Sequence, residues 1–306
     1  GKDAPVQRTL FEVFREHNDK CVQLSGTDMA PATVQRYETS LKHTRDFVWE
    51  TYHKKDVLLD EVSRQFIEDY EFWLKTEKKC CHNTATKYLK NFKKITRIAL
   101  AKGWMKNDPF LEIRFSLDKV EPDFLEDSEI QKLISKEIDI PRLSQVRDIF
   151  VFCCFTGLAF SDIHGLRKEH IVEDSNGVRW IRKGRQKTKI MCNIPLIEIP
   201  LKILEKYSTN EYCKKHGVLF PVLCNQKMNA YLKELADICG IKKTLTTHVG
   251  RHTFATFALA NGVSIESVAK MLGHTNVQMT RHYARVLDRT VIREMSQIKM
   301  DLHFSM

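Results

Sequence analysis

Apolar positions recur at helical spacing through the first third of the chain. Leu10, Val13, Phe14, Cys21 and Leu24 share one face of a helix that Thr9 and Glu12 open as a capping box. Pro31 suits the first turn of a second helix, with Val34, Tyr37, Leu41 and Val48 inward. A third carries Val62, Phe66, Ile67, Tyr70 and Trp73. The fourth is predicted from an Asn83 cap to Gly103, and its pattern has two sides. Ala85, Tyr88, Phe92, Ile95 and Ala99 fall within an arc of roughly 80°, and Lys87, Lys90, Lys93, Lys94 and Arg97 within roughly 120° on the opposite side. A merely solvated face would mix Glu with Lys for i,i+4 pairing. This face has no acid, which favours a surface that meets phosphates.

The periodicity stops between Asp118 and Asp127, where Pro122 stands among Asp118, Glu121, Asp123 and Glu126. We read residues 118–126 as a linker between a helical domain, 1–117, and a second domain, 127–306. The second domain opens on an Asp127-Ser128 cap, followed by a strongly apolar helix over Leu143–Phe155. Asn176-Gly177 then predicts a hairpin between His170–Val172 and Val178–Ile181. A second hairpin, through the basic turn Lys183-Gly184-Arg185-Gln186-Lys187-Thr188, leads to Ile190–Ile194. Helices follow, broken at Gly240, Gly262 and Gly273, and a last one over Asp288–Ile298 has Val291, Ile292, Met295 and Ile298 on one face. The fold class is therefore mostly α, with a small antiparallel three-stranded sheet in the second domain.

Composition narrows the partners. In 306 residues Lys+Arg outnumber Asp+Glu by 49 to 39, which favours a polyanion without identifying one. The nine cysteines form no spaced framework and no CxxC, as in a reduced, cytoplasmic chain. The longest apolar run, around Ile149–Phe160, is too short to span a bilayer, so no membrane role is expected. The chain opens on Gly1 rather than methionine, and the sequence leaves open whether a further N-terminal part precedes it.

Four motifs then occur in order: Thr156-Gly157-Leu158-Ala159, the turn with Lys187, His248-Val249-Gly250-Arg251-His252, and Leu272-Gly273-His274 followed nine residues on by Tyr283. Together they resemble the tyrosine recombinase, or phage integrase, family over essentially the whole length, most strongly from Thr156 onward. The resemblance implies a helical core-binding domain joined to a mainly helical catalytic domain, the pair clamping DNA. It implies a site-specific recombinase that breaks and rejoins double-stranded DNA through a 3′-phosphotyrosine, integrating or excising a mobile element without cofactor or metal. Tyr283 would be the nucleophile, Arg251 and His248 the HxxR pair, His274 the late histidine and Lys187 the general acid. It also implies a homo-tetramer on paired attachment sites, accessory DNA-bending proteins, a nucleoid-associated location, and a final helix that docks on a neighbouring protomer; simple packing against its own domain is the alternative for that helix.

The chemistry asks for the same residue types. A tyrosine phenol conserves the phosphate bond energy for rejoining. The planar fork of Arg251 matches the oxygens of a pentavalent phosphorus, and His248 lies three residues earlier on the same face. One position departs from the family, which has Thr-Gly-Leu-Arg where this chain has Ala159. Losing such a donor typically costs about 10²–10³ in rate. Arg147, among Val146, Ile149, Phe150 and Val151, is the candidate replacement; an exposed Arg147 paired with an acid is the alternative. Three rival readings stay open. A zinc site could use His248 and His252 at i,i+4, although Val249 stands where a zincin has Glu. A degenerate DNA-binding protein would explain Ala159, and a relaxing topoisomerase would share the tyrosine.

Overall fold

A computed structural model describes residues 7–283 and Met295. The chain divides into two compact units, Gly1–Val120 and Glu121–Met306. In the first, α1 (Leu10–Gln23), α2 (Pro31–Tyr52), α3 (Arg64–Thr76) and α4 (His82–Ala101) surround an aromatic core. The Thr9–Glu12 box forms in both directions, with Glu12 N–H to Thr9 Oγ1 at 3.4 Å and Thr9 N–H to Glu12 Oε2 at 3.0 Å. The helix stops one residue short of Leu24, which is exposed rather than inward. Fully buried Phe47 anchors the core, its ring 5.1 Å from both Phe66 and Tyr70.

Asn83 does not cap α4, which starts one residue earlier after Cys81. Its side-chain amide instead donates to the Asp118 carbonyl at 3.0 Å and accepts the Asp118 N–H at 2.8 Å, fastening the end of this unit. Gly103, at φ +70°, follows the helix as expected. Ala85, Phe92, Ile95 and Ala99 are buried, while Lys87, Lys90, Lys94 and Arg97 are exposed and Lys93 half-buried. None of these five cations forms an ion pair among the described residues. Lys94 donates to the Tyr37 hydroxyl at 3.0 Å, and Lys93 lies 5.4 Å from the Phe110 and Phe115 ring centres. Aromatic faces thus orient the ammonium groups without neutralising them.

The second unit begins with α5 (Asp127–Ser135) and the buried α6 (Pro141–Thr156), whose proline stands in the first turn, then a short α7 (Phe160–His164). The sheet β1 (Ile171–Glu173), β2 (Arg179–Gly184), β3 (Met191–Pro195) is antiparallel in sequence order, with Ile181 paired to Ile171 on one side and Ile194 on the other. Then come α8 (Glu198–Tyr207), α9 (Glu211–His216), α10 (Asn225–Ile238), α11 (Thr247–Ala260), α12 (Ile265–Leu272) and α13 (Gln278–Arg281). The α11 helix packs along α6, and the Leu125 N–H donates to Thr253 Oγ1 of α11 at 2.9 Å. The expected 118–126 stretch is thus tied to the first unit at its start and to the second at its end. The anticipated helix over Asp288–Ile298 lies outside the described residues, apart from an exposed Met295. Among the described residues no helix is long and apolar enough to cross a membrane.

Candidate active site

The chain brings Arg251, His248, His252, His274 and Tyr283 together where α11 meets the ends of α6 and α12. Thr246 caps α11 through its hydroxyl, so His248 and Arg251 fall in the first turns of a defined helix. Gly157 ends α6 at φ +68°, and a side chain there would run into Phe254 and Leu272. Only glycine lets that turn approach α11, and its carbonyl accepts Arg251 Nη1 at 2.7 Å. Arg251 Nη2 donates to the Leu272 carbonyl at 2.7 Å and to His274 Nε2 at 3.1 Å.

Arg251 is 3% exposed, and no carboxylate hydrogen-bonds it among the described residues. Burial and the nearby charge of Arg185 push its pKa down to about 10, so it stays protonated at neutral pH. A buried cation that meets carbonyls, an imidazole and the Tyr283 phenol, with no carboxylate hydrogen-bonded to it among the described residues, is short of an anion. The histidines around it are held neutral. Burial, then Arg251 and Arg185, push His274 down to about 4. Burial, then His248, His282 and Arg251, do the same to His252, whose Nδ1 is buried with no hydrogen-bond partner. His248 keeps an exposed edge, yet partial loss of solvent and the cations Arg251, Arg185 and Lys187 also lower its pKa.

Tyr283 follows α13, with its N–H donating to the Thr280 carbonyl at 2.9 Å. Its half-buried ring lies 5.1 Å from that of His252 and runs nearly parallel to His274 at 6.2 Å. Burial raises the phenol pKa, while the charge and hydrogen bond of Arg251 pull against that rise. Lys187 stands exposed in the β2–β3 turn, its charge reaching His248.

Arg147 does not join this cluster. Its guanidinium donates to the Lys136 carbonyl at 2.7 Å and to Asp148 Oδ1 at 3.1 Å, about ten residues, or roughly 15 Å of helix, before Gly157. The Asp148 carboxylate also accepts Lys206 at 2.6 Å and the Tyr207 hydroxyl at 3.0 Å, so Arg147 belongs to a network of its own.

The cation that does reach the cluster is Arg185, quoted in the basic turn but given no role there. Its side chain, 13% exposed, runs over Gly273, where an added Cβ would stand 2.8 Å from Arg185 Cδ. Its charge lowers the pKa of Arg251, His248, His274 and Tyr283 alike. Asp162, 2% exposed, fixes this turn by accepting the Gln186 N–H at 2.9 Å, and lies 3.5 Å from Arg185 Nε. Among the described residues that Nε makes no hydrogen bond. The available signals were an arginine two residues before Lys187 and an acid three residues after Ala159. Among the described residues no three His, Cys, Asp or Glu side chains are grouped to hold a metal ion.

Comparison with known proteins bears on this geometry. A phage integrase SAM-like domain model matches residues 9–119, and a phage integrase family model matches residues 123–290. A tyrosine recombinase of Pseudothermotoga lettingae is 29% identical over 84% of this chain and 88% of its own. Tyrosine recombinase XerD of Oceanobacillus iheyensis is 26% identical over 83% and 87%. Among solved structures, a lambda integrase dimer bound to a COC′ core site aligns with a TM-score of 0.72 at 16% identity, covering 98% of this chain and 81% of that one. The Tn1549 transposon integrase in complex with a circular intermediate DNA aligns with a TM-score of 0.71 at 17% identity, covering 95% and 99%. The integrase model alone spans more than half of the residues and includes the whole cluster around Arg251, so the chain belongs to the phage integrase family and is a tyrosine-type site-specific DNA recombinase.

Proposed function

We propose that the protein cleaves and rejoins duplex DNA with Tyr283 as nucleophile, moving a mobile element between attachment sites. The observation that carries this reading is the buried guanidinium of Arg251, which has no carboxylate bonded to it among the described residues and stands beside a phenol and neutral imidazoles. Such a pocket favours a phosphodiester, and its fork can hold two non-bridging oxygens. The Tyr283 oxygen attacks phosphorus, forming the 3′-phosphotyrosine, and the bond to the 5′-oxygen breaks. Lys187 gives that oxygen its proton, and the phenol proton passes to a neutral imidazole of the cluster. Rejoining is the reverse. His248 and His274 contact the phosphate, and Arg185 stands in for the family arginine replaced by Ala159.

The first unit binds DNA through Lys87, Lys90, Lys93, Lys94 and Arg97, whose contacts position the protein without specifying bases. The lambda and Tn1549 integrases were solved on DNA, which supports a duplex partner here. A tetramer on paired sites, aided by DNA-bending proteins, completes the reading. The test is covalent trapping: incubate the protein with nicked suicide duplexes from the ends of its element, add EDTA and run a denaturing gel. A slow-migrating adduct that vanishes in Tyr283→Phe is expected. Tight binding without any adduct would overturn the proposal in favour of a binding-only protein.

A further inference from the structure

Thr280 has no part in the scheme above, yet it is fully buried and joins two members of the site. Its Oγ1 lies 2.8 Å from His274 Nδ1, and its carbonyl accepts the N–H of Tyr283 at 2.9 Å. Arginine can only donate, so Arg251 Nη2 at 3.1 Å makes His274 Nε2 an acceptor. With Nε2 bare, a neutral His274 carries its proton on Nδ1 and donates it to Thr280 Oγ1. In that tautomer His274 has no N–H to offer a phosphate.

For a neutral His274, contact with a phosphate oxygen requires the opposite arrangement: Arg251 turned to the anion, Nε2 protonated and Nδ1 bare. A hydroxyl can serve both states, because it accepts in one and donates in the other. A cationic or purely donating neighbour could not. We infer that Thr280 is the positioning residue for His274, a rotatable hydroxyl that stabilises the latched tautomer in the free protein and the phosphate-donating tautomer on DNA. The inference rests on reading the Arg251 cluster as a phosphate site.

The test compares Thr280→Val, which keeps the shape and removes the hydroxyl, with Thr280→Ser, which keeps the hydroxyl. On nicked suicide duplex, Thr280→Val should form the Tyr283 adduct about 10–100-fold more slowly at unchanged DNA affinity, and Thr280→Ser should recover to within about threefold. In a His274→Ala background Thr280→Val should add less than about twofold, since the hydroxyl acts through His274. Losses that multiply in the double variant, or a Thr280→Val rate within about twofold of the parent, would overturn the inference. Imidazole ¹⁵N spectra of the free protein give an arm independent of activity. The His274 proton should sit on Nδ1, and finding it on Nε2 would sink the idea. Should the parent protein form no adduct at all, the strand-cleavage reading fails while the spectra still decide the tautomer.

Discussion

On α4 of the first unit, five cations stand along one face, four exposed and one half-buried; Lys90, Lys93 and Lys94 lie over aromatic rings, and none of the five pairs with an acid among the described residues. In the second unit, buried Arg251 and half-buried Arg185 lie among carbonyls, imidazoles and one carboxylate. The first arrangement gathers positive charge where water and salt screen it, so it suits many weak, exchangeable contacts. The second holds charge where it is barely screened, so a single misplaced group changes the electrostatics of all the others. One region supplies reach and the other supplies chemistry, and substitutions should separate them.

The largest separation should come from Arg251→Ala, which is expected to slow covalent adduct formation about 10³-fold while leaving the salt slope of DNA binding nearly unchanged. A loss in binding alone would merge the two regions into one function. Next, Arg185→Ala should cost about 10²-fold in the same assay, whereas Arg147→Ala should stay within about threefold and instead lower Tm by a few degrees through loss of the Asp148 network. The reverse ranking would return the missing-arginine role to Arg147.

A smaller effect concerns protons. His252 is pushed down to about 4 in the folded chain from an ordinary 6.5. A histidine lowered in this way withholds stability as pH falls through its unfolded value, because the unfolded chain takes up the proton first. Thermal stability should therefore decline from about pH 6.5 toward 4, by about 1–3 kcal/mol for this group, and His252→Phe should flatten that decline in a pH series of melting curves. A variant with the parent's slope would remove His252 as a source. Smallest per residue, Lys90→Ala and Lys94→Ala should each reduce the slope of log K against log salt by about 0.9, with no change in cleavage once DNA is saturating.

The same contrast explains what could be read from residues alone. The α4 face is written in local spacing, since residues three and four apart share a side whatever the rest of the chain does. Thr9 with Glu12 and the Asn176-Gly177 hairpin are similarly local, and they led to the helix start and the sheet, whereas the main cluster, spread from His248 to Tyr283, was reached through the resemblance of its motifs to a known family. Arg185 was hidden because a basic hairpin turn looks solvated until Asp162, more than twenty residues earlier, is brought against it. Arg147 takes the acid-paired alternative with its neighbour Asp148, and the contacts that bury Asp148 come from α8, nearly sixty residues on. Asn83 likewise had a local role to offer as a cap and took a long-range one with Asp118. Local grammar predicts elements; the destination of a single charged side chain depends on which distant group competes for it.

The two carbonyls that hold Arg251 belong to Gly157 and Leu272, at the C-terminal ends of α6 and α12. A helix terminates in roughly half a negative charge, spread over carbonyls that have no partner in their own helix. Two such ends converging on one guanidinium act as a divided counter-ion: enough to keep the arginine buried, yet carrying no mobile proton and no full charge. A carboxylate in their place would bind the fork more tightly and compete with every incoming phosphate. By using fractional charges fixed to the backbone, the fold keeps its strongest anion receptor stable and unclaimed at the same time.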